Sequence, residues 1–122
     1  MINNNELHSE FNSDLKEEGF HVYSRNKSKI KGFYPKEFPS YDKEIDISKL
    51  EEGDFIIIRV FFLISKFPVF KADGGLIDLE IESIIDDVIY GNILTKLPDH
   101  FPLAQGTTIE LSIDEIIKTI SK

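Results

Sequence analysis

Residues 54–64 read DFIIIRVFFLI, and after Asp54 the only charge in the run is Arg59. Such a density of β-branched and aromatic side chains suits a pleated strand. Its even positions hold Ile56, Ile58, Val60, Phe62 and Ile64; its odd positions hold Phe55, Ile57, Phe61 and Leu63, with Arg59 among them. Successive strand residues point to opposite faces. Both faces are therefore apolar and both need cover, which makes this a central strand that other segments must enclose.

The flanking patterns say which segments those are. Over residues 4–18, Leu7, Phe11 and Leu15 recur every fourth position and form one helical stripe, with Asn3 and Glu6 as a start signal and Gly19 as a stop. That helix is the obvious cover for the odd face. Residues 20–25 form a short strand, with Phe20 and Val22 on one face and His21 and Tyr23 on the other. Residues 26–45 are irregular, because Pro35 and Pro39 each remove a backbone donor. One helical turn fits residues 46–53.

After the central run, residues 65–75 form a connection whose Asp73-Gly74-Gly75 is a turn signal. Residues 76–83 alternate cleanly, with Ile77, Leu79 and Ile81 one way and Asp78, Glu80 and Glu82 the other. Asp86-Asp87 turns the chain into a strand over 88–95. A proline loop over 97–105 follows, then a strand over 107–113. Asp114 is expected to cap a short helix over 115–121 that buries Ile116, Ile117 and Ile120. At 122 residues the chain has the size of one domain and can bury roughly two-thirds of its unfolded surface. The expected fold is α+β in a single domain, residues 1–122. An N-terminal helix packs on a mostly antiparallel meander sheet of four to five strands, and a short C-terminal helix closes it. If Ile64 pairs with Ile77, Arg59 falls opposite Glu82 as a cross-strand ion partner.

The composition excludes more than it assigns. There are no cysteines, hence no disulfide, thiolate metal site or cysteine nucleophile. The net charge of -8 opposes nucleic acid backbones and anionic membranes and favours a basic partner. The opening MINNNELHSEF has neither the basic flank nor the apolar core of a signal peptide, and no apolar run is long enough to span a bilayer. These features predict a cytoplasmic protein. His8, His21 and His100 lack the spacing of a metal site, and Asp99-His100 is the only neighbouring acid–base pair. The serines have no G-x-S-x-G setting, and Gly74-Gly75 lacks the lysine of a phosphate loop. No catalytic, cofactor or metal residues are assigned, and the expectation is not an enzyme.

Two features suit recognition. Asp78, Glu80 and Glu82 form an acidic stripe with neighbours about 6–7 Å apart on one strand face. A cation would need further oxygen ligands there, and acid–base work would need one pKa raised by burial. Phe33, Tyr34, Phe38 and Tyr41 place four aromatics in the irregular stretch, either as a contact surface or as a flap closing the core.

Between residues 76 and 117 the order is an acidic alternating strand, a turn, a glycine followed by branched residues, a proline loop, and a second glycine-led apolar strand closed by isoleucine. Carried on Leu79, Ile81, Gly91, Ile93, Leu94, Pro98, Gly106, Ile109, Leu111 and Ile116, this resembles the YegJ-like group of small bacterial domains of unknown function. The chain departs from that group in having no tryptophan, Leu97 in place of an asparagine and Thr107 in place of an aspartate. The resemblance implies an α+β fold and no activity. In general type the chain also resembles bacterial immunity proteins, small acidic domains that block a cognate toxin.

These readings converge on a non-enzymatic binding module, an immunity-type inhibitor of a basic toxin domain. Asp78, Glu80 and Glu82 would steer the partner, and Phe33, Tyr34, Phe38 and Tyr41 would anchor it. A small-ligand or accessory domain, with a pocket between sheet and N-terminal helix, is the alternative, and a hydrolase with an unrecognised carboxylate site is a third. A face left open around Arg59 would equally serve as a homodimer seam.

Overall fold

The structure is a computed structural model and describes residues 9–34, 38–65 and 71–120. Its order is α1 (Ser9–Glu17), β1 (Phe20–Val22), α2 (Arg25–Ser28), a 3₁₀ turn (Ile47–Lys49), β2 (Phe55–Ser65), β3 (Lys71–Ile85), β4 (Val88–Ile93), β5 (Thr108–Leu111), a second 3₁₀ turn (Ile113–Glu115) and β6 (Ile116–Ile120). The architecture is mostly antiparallel sheet, curled into half a barrel, with a few short helices.

β2 is the hub. One edge pairs with β3 from Phe55↔Glu80 to Ser65↔Lys71. The other edge is shared, with β1 on Val60–Phe62 and β6 on Phe55–Ile58. β4 and β5 extend the sheet beyond β3. Ile56, Ile58 and Val60 line the concave face with Ile77, Leu79, Ile81, Ile89 and Ile93, all buried. Keeping one such side chain dry favours the fold by roughly 1.5–3 kcal/mol. A one-residue slip would turn the whole set outward, so the pattern itself fixes the register. Leu103 belongs to the same buried cluster, and Ile45, Ile47, Leu50 and Leu97 pack against that cluster, partly buried.

On the convex face, Phe11, Leu15, Tyr23, Phe33, Phe61 and Ile117 form a second buried cluster. α1 ends at Gly19, whose N–H donates to the carbonyl of Leu15 at 3.1 Å and whose φ of 84° turns the chain out of the helix. Leu7, Asn3 and Glu6, expected at the start of this helix, lie outside the described residues.

Several expectations are corrected. Six strands, not four to five, are present among the described residues. The helix expected over 115–121 is instead the 3₁₀ turn followed by β6. Isoleucines at the spacing 116, 117 and 120 fit a helix stripe, but here a vacant stretch of the β2 edge captures them as a strand. A bulge sets two β6 residues against Ile57, so Ile116 enters the concave core and Ile117 the convex cluster. Asp114 is not the cap: Ser112 takes that place, its N–H donating to the Glu115 carboxylate at 2.8 Å.

The connection expected over 65–75 is shorter, because β3 already begins at Lys71 and runs straight through Asp73-Gly74-Gly75. Gly74 is there for space rather than for turning. A Cβ on it would stand 2.7 Å from the Phe61 ring and 3.2 Å from Nε of Arg59. The early start also moves the register, so Ile58 faces Ile77 and Arg59 faces Leu76, not Glu82. Arg59 donates instead to the Tyr41 hydroxyl at 2.9 Å, with its guanidinium 5.6 Å from the Phe61 ring centre. The turn at Asp86-Asp87 stands as expected. Both residues have positive φ, 51° and 65°, in a two-residue hairpin between Ile85 and Val88.

Candidate functional site: an acidic convex face

Because β3 is held on both edges around Asp78 and Glu80, it carries their convex-facing side chains on a firm base. Asp78 lies opposite Ile57, and Glu80 opposite Phe55 on one side and Asn92 on the other. Asp78 is exposed and Glu80 half-buried. The stripe is not uniform, however. Ile81 pairs with Gly91 and Ser83 with Tyr90, so Glu82 is the extra residue of a bulge. From there its carboxylate accepts the Thr108 hydroxyl of β5 at 2.9 Å. Glu80 and Glu82 border a hollow of about 590 Å³ together with Glu52, Gly53, Ile81 and Asn92. Glu52 reaches this place because the turn before β2 docks on β3: the Gly53 N–H donates to the Ile81 carbonyl at 2.8 Å, and the Ile81 N–H to the Asp54 carbonyl at 2.9 Å. Among the described residues no group of three or more acidic, histidine or cysteine side chains is arranged to hold a metal ion.

The four loop aromatics gather in the convex cluster. Phe33 is buried at 4% exposure, and Tyr34, Phe38 and Tyr41 pack against it half-buried. Phe38 stacks on Phe61 with ring centres 4.4 Å apart. Tyr34 stacks on Tyr23 at 5.1 Å. The structure therefore places the acidic stripe on the open sheet and the aromatics in a flap over its Phe61 end, with the Tyr41–Arg59 hydrogen bond at the border between them. A smaller hollow of about 240 Å³ opens within the flap, lined by Tyr23, Ser28, Lys31, Tyr34, Phe38 and Ser40, among others.

Two buried polar systems were not legible in the sequence. The first runs from α1 through β1 to the flap. Asp14 accepts from Nδ1 of His21 at 2.7 Å, and Nε2 of His21 lies 2.6 Å from the Tyr34 hydroxyl. A carboxylate can only accept, so Nδ1 carries a proton; in the neutral ring Nε2 then accepts from Tyr34. The Tyr34 oxygen in turn accepts the Ser24 N–H at 2.9 Å, and burial pushes its ionisation well above the ordinary tyrosine range. With the phenol held neutral and inside the flap, this chain of bonds orients the loop.

The second system ties α2 to β6. The buried Arg25 donates to the carbonyls of Ile113, at 2.7 Å, and Ile116. Ser24 donates to Asp114, as does Ser112. Burial pushes the Asp114 carboxyl up, yet the hydrogen bonds from Ser112 and Ser24 outweigh it and hold the group below its ordinary value. Burial raises Glu115, and its bonds from Ser112 only partly offset that. The first system joins residues 7 to 13 positions apart, and the second ties Ser24 and Arg25 to residues 88 to 91 positions away. His21 had one available signal, its place on the same face of a short strand as Tyr23.

No family model matches the chain, and neither a curated protein nor a solved structure matches it. No helix among the described residues is long and apolar enough to cross a membrane.

Proposed function

We infer that the chain is a non-enzymatic binding module, an immunity-type inhibitor that captures a basic toxin domain on the convex face of its sheet. The observation that carries this reading is the display of Asp78 and Glu80 toward solvent from a strand paired on both edges, with Glu52 and Glu82 beside them. Carboxylates on a fixed base lose little freedom when a lysine or arginine docks, and their common field speeds encounter. In this reading α1 packs on the sheet with the aromatic flap, and together they form a wall beside the docking face. Phe33 fixes that wall from within, while Tyr34, Phe38 and Tyr41 offer their outer edges to the partner.

Tagged protein and a variant carrying Asp78→Lys and Glu80→Lys would be used to capture partners from the native cell at low and high salt. One stoichiometric basic protein, retained by the parent at low salt and lost by the variant, is the expected result. Equal capture by both baits would remove the acidic face from the mechanism.

The flap hollow of about 240 Å³ favours a second reading, a small-ligand domain. It predicts thermal stabilisation by a metabolite, and a flat response across nucleotides and sugars would count against it.

A further inference from the structure

The aromatic flap closes only one end of the convex face. Among the described residues the cover stops toward the start of β2, and aliphatic side chains are exposed: Leu76 at 52%, Ile120 at 44% and Leu94 at 38%, with Phe55 and Ile57 half-buried between them. The registers make these neighbours. Ile120, Phe55 and Glu80 lie in one row across β6, β2 and β3; Lys118, Ile57 and Asp78 lie in the next. Leu94 adjoins Asp78, to whose carbonyl its N–H donates at 2.8 Å. Scattered exposed aliphatics need no explanation, but a contiguous set beside unpaired charges does. Among the described residues neither Lys118 nor the carboxylates of Asp78 and Glu80 have an ion-pair partner.

We propose that this open half of the convex face is the seat of a cationic amphipathic helix supplied by the partner protein. Its apolar stripe would lie on Phe55, Ile57, Leu76 and Ile120, and its lysine or arginine side chains would meet Asp78 and Glu80. The inference rests on the partner-binding reading above and sharpens it, moving the hydrophobic anchor from the aromatic loop to the sheet. Three observations select a helix of that character. An uncovered apolar sheet face is completed by a layer laid upon it. Around Phe55, Ile57, Asp78 and Glu80 both edges of β2 and β3 are already engaged, so a strand could not add between those rows. Asp78 and Glu80, with Glu52 and Glu82 beside them, stand against Lys118 and Arg59, which makes a basic occupant complementary and an acidic one repelled. The flap at the Phe61 end sets where the helix must stop.

The test is a titration of ¹⁵N-labelled protein with a short helical peptide of leucine and lysine, apolar along one side, and separately with oligolysine of equal charge. The expected result is amide shifts gathered at Phe55, Leu76, Asp78, Glu80 and Ile120. Binding should weaken by about tenfold for oligolysine and for Leu76→Asn, as loss of a main apolar contact implies. Leu76 is exposed, so the variant keeps the parent fold. If oligolysine binds this face as tightly as the amphipathic peptide, the helix-seat inference falls while the acidic-surface reading stands. If the peptide perturbs a different surface, the seat is also wrong. If neither probe binds, both readings fall together.

Discussion

Adjacent in sequence, Asp114 and Glu115 are driven to opposite acidities by where each carboxyl ends. Asp114 keeps hydroxyl donors from Ser112 and Ser24 that outweigh its burial, whereas Glu115 is governed by burial itself. The consequences for stability have opposite signs. Below its ordinary value of 3.8, Asp114 binds protons more readily in the unfolded chain, so its contribution is present above that pH and lost as pH falls through the lowered folded value. Glu115 binds protons more readily in the folded chain. Its contribution is present below 4.5 and lost as pH rises through the raised folded value. Asp114→Asn should flatten the acid limb of stability, and Glu115→Gln should flatten the decline above 4.5. Urea denaturation of the parent and both variants across the acid range checks this, and three parallel curves would refute it.

Among the elements, the β3–β4 hairpin offers the cleanest test. Its two turn residues sit at positive φ, 51° for Asp86 and 65° for Asp87, where asparagine and aspartate are tolerated and glycine alone is free of steric cost. Replacing the pair by Asn-Gly should stabilise the protein by about 1 kcal/mol, read as a higher urea midpoint with an unchanged slope. A lower midpoint would mean that the turn is not the primed type.

This hairpin was legible because two aspartates between alternating strands leave few choices, and β2 was legible because its run of β-branched and aromatic residues favours a strand. Elsewhere local grammar lost to packing. Asp73-Gly74-Gly75 spells a turn, yet the large Phe61 ring needs the room that Gly74 leaves. The isoleucines of β6 match a helix stripe, and only the vacant edge of β2 makes them a strand. Arg25 could not be placed at all, since its carbonyl partner at Ile113 lies 88 positions away. Within the candidate site, the alternation that displays Asp78 and Glu80 was visible in the sequence. The bulge that sets Glu82 apart was not, because bulges follow from the pairing of two strands and not from one.

For the whole molecule, charge works against compactness. At a net charge of -8, the folded chain repels itself more than the expanded one does. Raising salt from 0.01 to 0.1 M shortens the screening length from about 30 Å to about 10 Å, so Tm should rise over that interval even as any basic partner is released. A scanning calorimetry series in sodium chloride measures it. A falling Tm would show that attractive pairs, not self-repulsion, dominate the surface.

The shared edge of β2 has a further consequence, for the order in which the molecule is made. A ribosome delivers β1 before β2, and β6 after every other described element. Through most of synthesis the Phe55–Ile58 stretch of that edge is a bare row of amides and carbonyls, a template for any passing strand. An arrested or clipped chain without 116–120 keeps the template open and joins its neighbours or meets a protease. Only a chain translated through β6 can hide it.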